Sequence, residues 1–250
     1  LLALGGDIQY VVVKFEGKNY LLAKDRTETV FKEKAYEIVK QIEGDKLTVL
    51  KYEPLFPYFA NTPNAFRVVN AMFVTTTDGT GVVHIAPAFG EEDFNVGQRE
   101  KIPLIQHVDM TGHFTKEVID FAGMEVKPKE DPQKTDVEVI KWLALQDKIF
   151  SKEKIEHSYP HCWRCDTPLL NYATDSWFVK VTAIKDQMIK NNKKINWIPN
   201  HIKEGRFGDW LETARDWAIS RNRFWGTPLP VWESKDGDFI CVGSVKELSL

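Results

Sequence analysis

The densest group of residues able to do chemistry lies at 78–94, Asp-Gly-Thr-Gly-Val-Val-His-Ile-Ala-Pro-Ala-Phe-Gly-Glu-Glu-Asp-Phe. Gly79 and Gly81 bracket Thr80, a pattern that lets a backbone turn sharply or approach a ligand closely. His84 ends an apolar run, Pro87 and Gly90 break it, and Glu91, Glu92 and Asp93 open the next segment. A strand, a loop and a helix in that order set an imidazole and carboxylates around one pocket mouth. The free N–H groups of the helix start lie beside them. The chemistry within reach is recognition of an ammonium by Asp93, polar contacts from His84 and stabilisation of a developing oxyanion. A plainer reading stays open on the residues alone, because acidic residues at a helix start are ordinary caps. A single strand histidine is likewise more often structural.

A second group is Cys162-Trp163-Arg164-Cys165. Two cysteines at this spacing supply half of the four soft ligands of a structural zinc site. His157 and His161 are near enough to substitute, whereas Cys241 is distant and lacks a paired spacing. A redox dithiol is the alternative, but no thioredoxin-like βαβ pattern surrounds the motif. The basic residues Lys190, Lys193 and Lys194 read as a solvated helix face. Lys24, Asp25 and Arg26 read as a strand end with surface charge, and the tryptophans at 142, 163, 177, 197, 210 and 217 as packing residues.

The elements that must position these groups can be traced from turn signals and periodicity. Residues 9–15 are rich in β-branched types, 16–19 make a turn and 20–23 resume apolar, which predicts a hairpin. From about Thr27, Val30, Phe31, Ala35, Ile38, Val39 and Ile42 recur at helical spacing, with Gly44 as the stop. Residues 46–52 read as a strand. Residues 66–76 and 80–85 read as strands joined across Asp78-Gly79, a tight-turn dipeptide. Helices are expected over 91–100, 137–145, 177–191 and 202–217, turn-rich strands over 102–126, and a strand at the end of 218–232. Strict βα alternation is lacking, so the first part should be a β-barrel-like α+β unit of short strands with a few helices. The organisation expected is a domain at 1–156, a small Cys-x-x-Cys module at 157–173 and a helical and strand segment at 174–250.

The bulk properties bound the function. The chain has 250 residues, 43% hydrophobic and 28% charged, enough for one large or two small domains with a real core. A net charge of −3 excludes a global cationic field, so any RNA contact must be a local patch. No apolar run is long enough to span a bilayer, and no membrane partner is expected. Three cysteines are too few for a disulfide framework and suit a reducing compartment, so a cytoplasmic protein is expected. A monomer is expected as well. The chain opens on Leu1 in mid-pattern, which reads as a piece of something longer.

Residues 79–94 resemble the hallmark of the isoleucyl-tRNA synthetase editing domain, with its His-x-Ala-Pro-x-Phe-Gly form. The leucyl and valyl relatives share the Gly-Thr-Gly and a downstream Asp but usually lack that form. Further matches follow in register at 52–59, 109–123, 159–165 and Trp177-Phe178. Residues 215–232 resemble the class I synthetase stretch where the editing insertion rejoins the nucleotide-binding Rossmann core. The resemblance covers nearly the whole chain.

It implies hydrolysis of misacylated tRNA(Ile), chiefly Val-tRNA(Ile). A pocket that accepts isoleucine cannot strongly exclude valine, one methylene smaller, and this amino-acid pair is itself the reference case for that limit. By similarity Asp93 would hold the α-amino group, and His84 would line the pocket near the side chain and terminal ribose. Gly79, Thr80 and Gly81 would shape a wall, with Phe89 in the same pocket. An ordered water, helped by the substrate's own ribose hydroxyl, would attack the ester, so no protein nucleophile is required. Arg221 and Arg223 are candidates for contact with the acceptor end of tRNA. Cys162 and Cys165 would be half of a zinc site whose other pair lies upstream.

Two departures qualify the resemblance. The family's Thr-Thr-Thr-Pro-Trp-Thr peptide is not Thr75-Thr76-Thr77, which Asp78-Gly79 follows. Its place would be upstream of Leu1, and impaired editing is the expectation for the chain alone. The His-Ile-Gly-His and Lys-Met-Ser-Lys-Ser signatures are also absent, so ATP, magnesium and aminoacylation belong to a parent enzyme only. The rivals are a valyl or leucyl editing domain, a non-catalytic zinc-ribbon RNA-binding module and a free-standing trans-editing protein.

Overall fold

The computed structural model describes residues 1–221 and 226–249. The chain divides into two compact units, Leu1–Ala173 and Thr174–Leu250.

In the first unit the elements are β1 (Leu2–Leu4), β2 (Gln9–Phe15), β3 (Lys18–Ala23), α1 (Thr27–Phe31), β4 (Glu37–Glu43), β5 (Val68–Asn70), β6 (Val82–His84), α2 (Glu91–Arg99) and α3 (Lys134–Leu145). The β2 and β3 hairpin forms as its turn residues dictate, with Glu16 and Gly17 both at positive φ. Strand β2 is the centre of an antiparallel sheet in the order β3, β2, β4. Tyr10, Val11 and Val13 on it are fully buried.

The helix expected through Ile42 is therefore a correction. Helix α1 ends after five residues at Lys32, whose φ of 52° breaks the spiral. The next apolar residues pair with the open edge of β2 as β4. The spacing of Ile38, Val39 and Ile42 suits a helix, but their β-branched side chains fit a pleated surface equally well, and the unpaired strand edge decides.

The second sheet has the order β5, β1, β6. Strand β1 runs parallel to β5 and antiparallel to β6, pairing Leu2 with both Val68 and His84. This corrects the expected hairpin across Asp78-Gly79, because the Leu-Ala-Leu segment lies between the two strands. Ala3 and Leu4 lose all solvent exposure there, so β1 gains most by the central place. Residues 46–52 are also corrected: a short 3-10 turn covers Gly44–Leu47, and only Lys51 bridges to Arg67.

One core cluster joins Ala3, Val69 and Ile85 to Val96 of α2, and a second joins Leu4 to Tyr10, Ala23 and Val68. A third packs Val11, Val13 and Leu22 against Phe31. Residues 102–126 are held by isolated bridges, Val108 to Phe114 and His113 to Glu125, rather than by full strands. Among the described residues β1 and β2 belong to separate three-stranded sheets and no closed barrel forms. The mixed α+β class stands, and the barrel is corrected to short open sheets.

The second unit holds β7 (Phe178–Val179), α4 (Lys185–Lys194), α5 (Arg206–Glu212), β8 (Trp217–Ala218), β9 (Val231–Glu233), β10 (Phe239–Cys241) and α6 (Val245–Leu248). The expected helix from Trp177 starts later. Phe178 and Val179 pair with Ala218 and Trp217, and the Asp216 carboxylate accepts from Thr182 N and Oγ1 at 2.9 and 2.7 Å. Buried Asn192 ties α4 to the segment before α5, donating to Lys203 O and accepting from Trp197 Nε1, both at 2.8 Å. Both described strand pairs in this unit are antiparallel.

Candidate functional site

His84 is the last residue of β6, opposite Leu2 of β1, and Asp93 lies in the first turn of α2. The 86–90 loop between them is drawn tight. Asp93 Oδ2 accepts from Ala86 N at 2.9 Å, so its carboxylate reaches back to the start of the loop, and the N-cap is Gly90, which has no side chain to bond the helix start. A Cβ on Gly97 would stand 2.8 Å from Pro87, so the glycine lets α2 close on the loop.

His84 retains an exposed face, while the protein packed behind it withdraws solvent and pushes its pKa below the usual histidine value. His107 pushes the same way, and Asp93 opposes it. The ring is thus neutral near neutral pH.

Phe89, inside the loop, meets two rings that the sequence did not single out. The His107 centroid lies 4.6 Å away, edge to face, and the Tyr172 centroid 6.0 Å away. Ala173 N donates to Ala88 O at 2.9 Å, closing the same bracket. Residues 107 and 172 are far from the motif in the chain, and no local pattern marks them. Burial also lowers the pKa of His107.

The Gly-Thr-Gly segment is anchored mainly through its carbonyls. Arg26 Nη1 and Nε donate to Thr77 O and Gly79 O at 3.0 and 2.9 Å. Ala23 N donates to Thr80 O at 2.8 Å, and the Tyr10 hydroxyl to Gly81 O at 2.6 Å. That hydroxyl also accepts from Gly5 N at 3.0 Å. Gly81 has φ of 73°, and a Cβ there would stand 2.5 Å from the Ala23 Cβ. Its glycine thus serves a left-handed backbone and a close approach to β3. The Thr80 hydroxyl stays within its own turn, 3.3 Å from Val82 O. Arg26, expected to be surface charge, is instead a clamp on this loop.

The cysteine turn runs from Cys162 to Asp166, whose N donates to Cys162 O at 2.8 Å with Asp166 at φ of 60°. Cys165 is exposed and Cys162 half-buried. The Thr167 hydroxyl and N–H, then Cys162, pull the Cys165 thiol down to about 7. His161 Nδ1 lies 3.0 Å from Asp166 O and His157 Nδ1 3.0 Å from Ser158 O. Among the described residues no group of three or more metal-binding side chains converges, so the chain by itself does not fit a complete zinc site.

Arg221 Nη1 donates to Ala218 O and Ser220 O, both at 2.8 Å, and Arg223 lies outside the described residues. A cavity of about 550 Å3 lies along β4, lined by Gln9, Lys40, Ile42, Lys46 and Leu50 among others; no candidate residue lines it. No described helix is long and apolar enough to cross a membrane.

The family model for tRNA synthetases class I (I, L, M and V) matches residues 19–250. The chain belongs to this class I synthetase family. Curated synthetases similar to it include three named isoleucine--tRNA ligase. That of Bdellovibrio bacteriovorus is 48% identical over 99% of this chain and 23% of its own length. That of Treponema denticola is 47% identical over 99% and 24%. That of Clostridium novyi is 47% identical over 99% and 23%. The chain thus spans about a quarter of the length of these synthetases. A solved structure, "The crystal structure of GlLeuRS-CP1", aligns over 62% of this chain and 78% of its own at 10% identity and a TM-score of 0.45, too slight a likeness to argue from.

Proposed function

We propose that this chain is the editing part of an isoleucine--tRNA ligase and that, as part of that whole enzyme, it hydrolyses misacylated tRNA(Ile), chiefly Val-tRNA(Ile), at the loop between His84 and Asp93, the chain alone being impaired. One observation carries the reading. His84 and Asp93 flank the 86–90 loop, and the Asp93 carboxylate itself holds it, accepting from Ala86 N at 2.9 Å. An aminoacyl ester presents the matching features, an α-ammonium beside a carbonyl with ribose hydroxyls next to it. The 47–48% identity to isoleucine--tRNA ligases supports isoleucine over the valyl and leucyl alternatives.

Asp93 holds the α-ammonium, its charge lowering the cost of bringing that group out of water. His84, being neutral, lines the side-chain and ribose end without repelling the ammonium. Phe89 and the segment carrying Gly79, Thr80 and Gly81 bound the space. A water polarised by the substrate's ribose hydroxyl adds to the ester carbon. The bond from that carbon to the ribose oxygen breaks, the oxygen takes a proton, and free valine and deacylated tRNA leave.

The partner is the acceptor end of tRNA(Ile), with Arg221 and Arg223 as candidates for phosphate contact, and the protein acts as a monomer. ATP- and magnesium-dependent attachment of isoleucine belongs to the whole ligase. Zinc would be structural, held by Cys162 and Cys165 with two further ligands from beyond this chain.

The test is deacylation of Val-, Thr- and Ile-charged tRNA by the protein carrying this chain, alongside its His84→Ala and Asp93→Ala variants. Val-tRNA(Ile) should be cleared fastest, and Asp93→Ala should slow it by about a hundredfold, the scale of one lost electrostatic contact in a site. A preference for Thr-tRNA(Val) or for Ile-charged tRNA would move the assignment to a valyl or leucyl enzyme. Binding of RNA with no deacylation at all would sink the reading.

A further inference from the structure

The three anchors of the 86–90 loop differ in kind. The Asp93 carboxylate accepts from Ala86 N, and Ala173 N donates to Ala88 O, so hydrogen bonds hold the loop at its start and its middle. Phe89 comes next, and the place of its ring is set by the rings around it. His107 presents its edge to that ring at 4.6 Å and 61°. Behind it, Phe114 lies nearly parallel at 6.2 Å and 15°, and Phe121 backs Phe114 at 6.1 Å. The backbone of His107 is held as well, since Thr115 N donates to its carbonyl at 3.0 Å. The neighbouring Gln106 side chain donates to Ala173 O, the residue whose N–H holds Ala88. His107 therefore cannot move back without dislodging a bridged segment.

We propose that His107 is a positioning residue that fixes the Phe89 ring and so sets the width of the space admitting the misattached amino acid. This rests on the editing reading above. The physical reason is packing. A ring in contact with an imidazole and a tyrosine is restrained in its motion, and an aromatic wall backed by further rings yields little to one extra methylene. Truncating His107 leaves a hole beside Phe89, into which the ring can swing and widen the site.

The experiment uses the full-length protein carrying this chain, with Val-tRNA(Ile) and Ile-tRNA(Ile) as probes. His107→Ala should raise hydrolysis of Ile-tRNA(Ile), lowering the Val over Ile preference by about tenfold, the low end of what one methylene is worth in an apolar pocket. kcat for Val-tRNA(Ile) should change little. His107→Phe should restore the preference, because the wedge is aromatic shape and not charge. An unchanged preference in His107→Ala, or a Phe variant that behaves like Ala, overturns the proposal. A second readout is independent of activity: the His107 ring-proton shift in NMR should move when Phe89 is replaced by Leu. No movement overturns the contact itself. Wild-type protein inert on Val-tRNA(Ile) would instead defeat the editing reading, while the NMR readout would still judge the Phe89 contact.

Discussion

Leu1–Ala173 and Thr174–Leu250 are both rich in aromatic and β-branched residues and both expose some of them, yet among the described residues the first gathers far more of them into buried clusters. The first unit buries Tyr10, Phe31, Leu4, Ile85 and Val69 almost completely and stitches its sheets through the Tyr10 hydroxyl and the Arg26 clamp. In the second, Leu211 is the buried hydrophobic residue among those described, whereas Trp210 is 60% exposed, Trp217 62% and Phe239 66%. What shapes that unit locally is polar, namely Asn192 between α4 and the approach to α5 and Asp216 on Thr182. The difference teaches where each unit's order comes from. One carries its own core, and the other leaves apolar faces of the kind that mark contact surfaces.

The largest effect should follow from breaking the first unit at its tightest point. Gly81→Ala forces a Cβ onto Ala23 and a side chain into the left-handed region, so a loss of about 3 kcal/mol is expected from strain and overpacking together. Urea unfolding followed by far-UV circular dichroism measures it. A loss under 1 kcal/mol would mean that the docking of residues 77–81 on β3 is looser than described.

A smaller effect should appear with pH. The folded pKa values of His84 and His107 are both depressed, chiefly by burial, from an unfolded value of about 6.5. The fold prefers the neutral rings, so their contribution is present above that pH and is lost as pH falls through the folded values. Urea midpoints should drop on acidification below 6.5, and His107→Phe should flatten part of the slope. A slope unchanged by that substitution would count against a desolvated His107.

The smallest effect belongs to the second unit. Trp217→Ala removes an exposed ring, so stability should change by no more than about 0.5 kcal/mol. Binding of a hydrophobic dye should fall in the same variant, and a loss of 2 kcal/mol would erase the contrast between the units.

Much of the site was legible because its signals are local. Pro87, Gly90 and the acidic run at 91–93 announced a strand, loop and helix, and α2 begins at Glu91. The part played by Gly81 was only half legible. Its need for glycine was visible, but the partners Tyr10 and Ala23, some seventy and sixty residues earlier, were not. Arg26 was misread because charge beside a strand end looks solvated until a carbonyl-lined loop is folded against it. His107 and Tyr172 carried no pattern at all, being brought to Phe89 by chain reversals.

The sequence by itself determined the β2 and β3 hairpin, the start of α2, the helix at α3 and the family motif. Each depends on residues within a few positions of one another, through turn conformation, capping and periodicity. Only the tertiary structure decided that residues 37–43 extend along β2, that Leu2–Leu4 separates β5 from β6, and that no third ligand joins the cysteine turn among the described residues. Strand pairing between distant segments is chosen by which apolar residues can be buried together, and that is a property of the whole chain rather than of any window along it.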